Sequence, residues 1–182
     1  MKIYITRHGQ TTWNASRKIQ GQSDEGVLDE TGISQAEGLR EKIRNIEFDA
    51  VFSSPLRRAR KTAEIAVGDR NVIVFDERLM ERGYGEFEGV DYGAVEDFYD
   101  QIWDFEAEDL SEFGGIEPIS EIFLRVEAVV QEIKEKYPDG NVLIVCHGGV
   151  LRIFHYVLSG LDKNSKLANF YTDNCQVREY EI

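Results

Sequence analysis

The chain of 182 residues is 42% hydrophobic and 30% charged, which fits a single domain with one sizeable core and excludes a disordered or multidomain layout. Its net charge of −13 excludes duplex nucleic acid as a partner. The longest apolar run is Val142 to Cys146, and Arg7-His8 follows directly on Ile3-Tyr4-Ile5, so neither a membrane span nor a signal peptide fits and the expected location is cytoplasmic. Two cysteines make no disulfide framework.

In chain order, short β-branched runs alternate with helical patterns, as in βαβ units. The expectation is one α/β domain over 1–182, a three-layer α/β/α sandwich with a largely parallel central sheet. A first strand runs from Ile3 to Thr6, followed by a helix with Ile33, Ala36, Leu39 and Ile43 on one face. A strand from Ala50 to Ser53 leads to a helix marked by Ala59, Ala63, Ala66 and Val67, and a third strand spans Val72 to Phe75. Ile119, Ile122, Phe123, Val126, Val129, Val130 and Ile133 mark a long helix with Pro118 in its first turn. A strand from Val142 to Cys146 and a helix bearing Val150, Ile153, Phe154, Val157 and Leu158, stopped by Gly160, precede a last strand from Cys175 to Tyr180.

Charge is unevenly placed along this pattern. Between Val90 and Glu121 stand 11 acidic residues and no Lys or Arg, so the remainder of the chain is close to balanced. Val95, Phe98, Tyr99, Ile102 and Trp103 recur there at helical spacing, with Tyr92, Phe105 and Phe113 beside them. The reading is an acidic, mainly helical lid inserted at about 90–117, with a solvated acidic face as the simpler alternative.

Ligands of open α/β sheets bind at the carboxyl ends of the strands, and four strand ends here carry unusual residues. They are Arg7-His8-Gly9 with Thr11, Thr12 and Asn14; Ser53-Ser54-Pro55-Leu56-Arg57-Arg58; Glu81-Arg82-Gly83-Tyr84-Gly85; and His147-Gly148-Gly149 at a helix start. Arginines, a glycine-flanked helix N-terminus and two of the three histidines describe a phosphate site. A neutral imidazole, His8 or His147, can attack phosphorus, the arginines can hold the equatorial oxygens, and Glu81 can protonate the leaving alkoxide.

The segments Arg7-His8-Gly9-Gln10-Thr11-Thr12-Trp13-Asn14, Ser54-Pro55-Leu56-Arg57-Arg58-Ala59, Glu81 to Gly89 and His147-Gly148 resemble, in order and over nearly the whole chain, the histidine phosphatase superfamily, also called phosphoglycerate-mutase-like. The resemblance implies that His8 becomes phosphorylated, that Arg7, Arg58 and His147 bind the phosphoryl group, and that Glu81 is the proton donor. It also implies that Asn14 supports the pocket, that the Thr11 hydroxyl and the Gly21 backbone lie near the substrate, and that no metal or cofactor is needed. Gly148 belongs to the same binding motif. Arg57, displaced by one position from the motif, reads as a surface residue.

Within that resemblance, a phosphatase is favoured over a cofactor-dependent phosphoglycerate mutase. A mutase must hold a bisphosphorylated, carboxylate-bearing intermediate, for which the family supplies Lys and Arg after the Glu81 motif; here that segment has none, and its acids repel a small polyanion. The chain is also short for such a mutase. The implied substrate is a small-molecule phosphomonoester, and the aromatic residues of the lid either meet an apolar, neutral or cationic body or simply pack the lid. Small phosphatases of the family commonly read Gly-Gly-Glu-Ser before the long helix; this chain reads Gly114-Gly115-Ile116-Glu117-Pro118, so no contact is carried over from that serine.

A rival reading takes Cys146-His147-Gly148-Gly149-Val150-Leu151-Arg152 as the Cys-x-x-Gly-x-x-Arg loop of cysteine-dependent phosphatases, with Cys146 as nucleophile. Val145 and Ile153 stand where that loop has His and Ser or Thr, and Arg7, His8 and Glu81 are left without a role. Cys146 then reads as the buried end of a strand, Arg152 as a surface or supporting residue, Cys175 as a strand residue and His155 as structural. A phosphate-binding protein without catalysis is the last alternative; it predicts loss of a catalytic residue, and all are present.

Overall fold

The computed structural model describes residues 1–103, 114–161 and 170–182. Five strands form one sheet in the order β3-β2-β4-β1-β5: β1 Lys2–Arg7, β2 Ala50–Ser53, β3 Ile73–Phe75, β4 Asn141–Cys146 and β5 Val177–Glu181. β1, β2, β3 and β4 pair in parallel, and only β5, on the edge beside β1, runs antiparallel. The helices are α1 Thr12–Ala15, α2 Glu30–Ile43, α3 Arg57–Val67, α4 Tyr99–Ile102, α5 Ile119–Lys136 and α6 Gly148–Ser159.

The three layers follow from alternation along strands buried on both faces. Ile3 and Ile5 of β1 and Val142, Ile144 and Cys146 of β4 pack with Ile122, Val126 and Val130 of α5 and with Val150, Ile153 and Phe154 of α6. Tyr4, Leu143 and Val145 face the other way, against Ala36, Leu39 and Ile43 of α2 and Ala59, Ala63 and Ala66 of α3. Each such aliphatic side chain contributes about 1.5–3 kcal/mol by leaving water. Close approach fixes the loop after β1 against α2: a methyl group on Gly9 would lie 2.4 Å from the Gly32 carbonyl oxygen, so only glycine fits.

Several expectations need correction. Ile33 shares the helical spacing of its neighbours but is exposed, at the first turn of α2. Pro118 is the N-cap of α5, with extended ψ of 146°, rather than a residue within its first turn. Cys175 lies ahead of β5 in a turn, with φ of 56° and its amide bonded to the Arg7 carbonyl. The acidic segment is not one amphipathic α-helix. Tyr92–Phe98 is a 3₁₀ run, followed by the single turn α4; Tyr92, Val95 and Phe98, three residues apart, stack on one side of a three-residue turn. Val95, Ile102 and Trp103 are buried, and Phe98 meets Phe87 at 5.5 Å between ring centres, so the described part of this segment packs onto the domain. Phe105 and Phe113 lie outside the described residues.

Candidate active site

Sheet register builds the site. Arg7 and Cys146 are paired across β1 and β4, and the His8 amide extends that ladder to the Cys146 carbonyl at 3.0 Å. His8 and His147, the next residues, therefore leave the sheet side by side, with ring centres 5.2 Å apart. On the other flank of β4 the Ser54 amide donates to the Val145 carbonyl, which sets the Ser54 hydroxyl 2.7 Å from His147 Nε2.

Both imidazoles are buried, and hydrogen bonding fixes the tautomer of His8. Its Nδ1 is 2.7 Å from the Gly9 carbonyl, which only accepts, so Nδ1 carries the proton and Nε2 presents a lone pair. Burial, reinforced by Arg58 and Arg7, pulls the His8 pKa well below the usual value. His147 is pulled down the same way, by burial first and then by Arg58, His8 and Arg7. His8 thus presents a neutral, oriented ring nitrogen with a free lone pair at neutral pH.

Arg58 is 1% exposed, and burial pulls its pKa down to about 10, so it stays charged. Its Nη2 donates to the Gly21 carbonyl at 2.6 Å and its Nη1 to the Ser23 carbonyl at 2.8 Å. Gly21 holds a φ of 49° to offer that carbonyl, and a Cβ there would collide with the Glu88 side chain. Asp24 completes the arrangement by accepting the Arg57 amide at the start of α3, which has no capping side chain of its own. Among the described residues, Arg7 Nε, Arg58 Nε and His147 Nδ1 are buried N–H or ring-nitrogen positions with no protein partner. Arg7 and Arg58 also line one cavity with His8, where an anion would meet their charge.

Glu81 occupies the place where the glycine-flanked helix start suggested an anion-binding N-terminus. Its Oε2 accepts the Gly149 amide at 3.0 Å, and its Oε1 accepts the Val150 amide at 3.3 Å and the Arg82 amide at 2.8 Å. The first amides of α6 therefore hold a side chain of the protein itself. The Gly149 backbone permits this, since a methyl group there would lie 2.4 Å from Glu81 Oε1. Oε2, with one donor, keeps a lone pair where a proton can sit.

Arg7, His8, Asn14, Gly21, Arg58 and Glu81 line one cavity of ≈ 140 Å³. It adjoins a larger one of ≈ 360 Å³ bounded by Arg7, Glu81, Gly148, Trp103, Arg152 and Tyr171. His147 is buried behind these walls, against His8. Thr11 is not brought to either cavity. Its hydroxyl caps α1, bonded to the Asn14 amide and side chain and to Gln20, so it positions Asn14. Arg57 is exposed, as its offset from the motif predicts.

Ser54, named in its motif without a role, and Asn174, which sequence did not single out, also act here. Ser54 orients His147, and Asn174 donates to the His8 carbonyl at 2.7 Å. Arg152, read as peripheral, lines the larger cavity with its guanidinium 4.6 Å from the centre of the Trp103 ring. Its position at the fifth residue of a helix whose first residues bind Glu81 was the available signal. Cys146 is wholly buried in the apolar core and burial pushes its thiol strongly up, which opposes a thiolate. Cys175 is pushed up to about 12, also by burial. His155 stacks on Phe170 and meets the Tyr180 hydroxyl. Among the described residues no three His, Cys, Asp or Glu side chains group as a metal site, and no helix is long and apolar enough to cross a membrane.

Residues 3–182 match the model of the histidine phosphatase superfamily, branch 1. The chain is 35% identical over 152 residues, 82% of its length, to a probable 2-carboxy-D-arabinitol-1-phosphatase of Arabidopsis thaliana, and spans only 31% of that protein. It is 32% identical over 185 residues to a metal-independent phosphoserine phosphatase of the same plant, covering 98% of this chain and 77% of the relative. The solved structure of Bacillus stearothermophilus YhfR superposes with a TM-score of 0.87 at 29% identity, over 100% of this chain and 91% of that one.

Proposed function

Since the chain belongs to the histidine phosphatase superfamily (branch 1) and is a phosphatase, we propose that it hydrolyses small phosphomonoesters through a phosphohistidine on His8. In the first half-reaction His8 Nε2 bonds to phosphorus as the P–O ester bond breaks, and a proton on Glu81 passes to the departing alkoxide. Arg7 Nε, Arg58 Nε and a protonated His147 Nδ1 donate to the equatorial oxygens. The Ser54 hydroxyl can accept the Leu56 amide and donate to His147 Nε2, which leaves the ring proton on Nδ1. In the second half-reaction water attacks phosphorus, gives its proton to the Glu81 carboxylate, and restores neutral His8. The observation that carries this reading is the His8 tautomer, fixed by the Gly9 carbonyl, in a nest of buried, unpartnered N–H groups.

The small cavity takes the phosphoryl group and the larger one the alcohol. Trp103, Tyr92, Phe170 and Tyr171 give the latter flat, apolar walls, which supports a substrate whose alcohol carries an apolar or planar body. At ≈ 360 Å³ the space suits a small metabolite rather than a phosphoprotein side chain in its chain context. One relative is named metal-independent, and the Arg7 and Arg58 guanidiniums supply positive charge at the phosphoryl group, with neutral His147 as a third donor. Quenching turnover of a labelled phosphomonoester tests the mechanism. An acid-labile phosphoprotein in the wild type and in Cys146→Ser, absent from His8→Ala, is expected; an adduct that survives in His8→Ala sinks it.

A further inference from the structure

Glu81 sits in a stretch without regular structure, Met80 to Tyr84, so the backbone around it must find its hydrogen-bond partners outside any ladder. Gln22 Nε2 donates to the Glu81 carbonyl at 3.1 Å, Glu88 Oε1 accepts the Tyr84 amide at 3.0 Å, and the other side-chain partners are Arg125 and Glu117. Arg125, one turn and a half into α5, donates from Nη1 to the carbonyls of Arg78 and Met80, both at 2.6 Å, and from Nη2 to the Glu81 carbonyl at 3.3 Å. Glu117 accepts the Gly83 amide on Oε2 at 2.9 Å, while its own amide donates to the Gly83 carbonyl at 2.9 Å. The two side chains close on each other: Arg125 Nε to Glu117 Oε1 is 3.0 Å and Nη2 to Oε2 is 3.2 Å. Their side chains are 16% and 14% exposed.

We infer that the Glu117–Arg125 pair is a positioning device for the proposed acid, a clamp that fixes the Glu81 backbone on both sides so that its carboxyl meets the leaving oxygen. This rests on Glu81 being the proton donor. Three features favour a clamp over a merely stabilising ion pair. Arg125 donates to carbonyls at 78, 80 and 81 while Glu117 holds the Gly83 amide and carbonyl, so the pair together brackets Glu81. The fork geometry is one that lysine cannot copy. Glu117 neutralises the guanidinium, so a buried cation can lie beside the Glu81 backbone while the Glu81 carboxylate stays on the amides of α6. The clamp also gives Glu117 a use in the Gly114-Gly115-Ile116-Glu117-Pro118 segment: Ile116 is buried and Glu117 reaches Gly83.

Proton donation matters in proportion to how poor the leaving group is, and a displacement of about 1 Å costs on the order of a hundredfold. The test is kcat and KM for a series of aryl and alkyl phosphates in Arg125→Lys and Glu117→Gln. We expect kcat for alkyl phosphates to fall about ten- to a hundredfold, with p-nitrophenyl phosphate changed less than about threefold and KM held. In a Glu81→Gln background the same changes should add almost nothing for alkyl phosphates, because the group being positioned is gone. Removing one member of a buried pair strands the other, so Glu117→Gln combined with Arg125→Leu, which strands no charge, carries the same prediction if a single variant fails to fold. Equal losses for good and poor leaving groups, or full additivity with Glu81→Gln, would overturn the clamp while leaving Glu81 as the acid. A Glu81→Gln variant with no leaving-group dependence would overturn both.

Discussion

The two cavities share Arg7, Glu81 and Tyr92 yet are held in place by different means. At the phosphoryl end three groups are tied to backbone, His8 to Gly9, Arg58 to Gly21 and Ser23, and Glu81 to Arg82, Gly149 and Val150, while His147 rests on the Ser54 hydroxyl. The Gly9 and α6 bonds come from a strand end and a helix start of the sandwich, and the Gly21, Ser23 and Arg82 bonds from the loops beside it. At the leaving-group end the walls are side-chain faces, with Arg152 over Trp103 and Tyr171 largely exposed. Trp103, in the acidic segment, is buried with the α5 and α6 core, whereas Tyr171 lies on the exposed approach to β5. On the proposed mechanism, chemistry lies with the backbone-anchored groups and selectivity with the side-chain faces beside them.

The sharpest way to break this comparison is to remove the nucleophile. His8→Ala should lower kcat by about 10⁴-fold or more for every phosphomonoester tried, whatever its alcohol, because the loss lies wholly at the phosphoryl end. A substrate-dependent loss in steady-state assays would place binding of the alcohol inside the same unit. Glu81→Gln comes next. It keeps the acceptor oxygen and shape but cannot donate the acid proton, and should cost about 10²–10³ for alkyl phosphates and only a few-fold for p-nitrophenyl phosphate.

The phosphoryl end also leaves a mark on stability. His8 and His147 are held neutral in the folded protein, chiefly by burial and then by Arg58, whereas in the unfolded chain each titrates near the ordinary value of about 6.5. Below that pH the unfolded chain takes up protons that the folded one refuses, so stability is full above about pH 7 and falls as pH drops through about 6.5. Each histidine adds about 1.4 kcal/mol of loss per pH unit. Urea midpoints measured from pH 7.5 to 5.5 should show this slope, and His8→Ala should shed one histidine's share of it; an unchanged slope would mean that His8 is protonated in the fold.

Much of the phosphoryl end was legible from sequence because strand order converts directly into adjacency. Arg7-His8-Gly9 and Cys146-His147-Gly148 end two hydrophobic runs, and pairing those runs in parallel register puts the histidines together without any side-chain information. What stayed hidden depends on folds of the chain that leave no periodic trace. The Gly21 carbonyl reaches Arg58 through a left-handed turn, and Arg125 looks like any charged position of an amphipathic helix until its partners are seen. The α-helical reading of Val95 to Trp103 holds only over Tyr99–Ile102, because Val95 and Phe98, three residues apart, satisfy both the 3.6 and the 3.0 period. Glu81 on the α6 amides was missed for a related reason: a glycine-flanked helix start announces room for an anion, and says nothing of whether the anion is a ligand or the protein's own carboxylate.

The leaving-group end offers the smallest expected effect and the one that best separates the two regions. Trp103 is buried at ring level against Gly149 and Arg152, so truncation to leucine enlarges the cavity and removes the flat face on which the guanidinium rests. Losing a cation–π contact and some aromatic area amounts to about 1–2 kcal/mol, or about tenfold in kcat/KM. That loss should fall on phosphates with a planar body and spare glycerol phosphate, whose alcohol has no flat face to offer. Arg152→Gln should act in the same direction more weakly, since the ring remains. Both variants should still form phosphohistidine at close to wild-type rates from p-nitrophenyl phosphate at saturation, because His8 and Arg58 are anchored to the backbone of Gly9, Gly21 and Ser23 and an aryl leaving group needs little from Glu81. A uniform fall across all substrates would instead show that Trp103 braces the Glu81 loop, where the Arg82 guanidinium also lies 4.8 Å from its ring centre, and the division between anchored groups and side-chain faces would then run on the other side of Trp103.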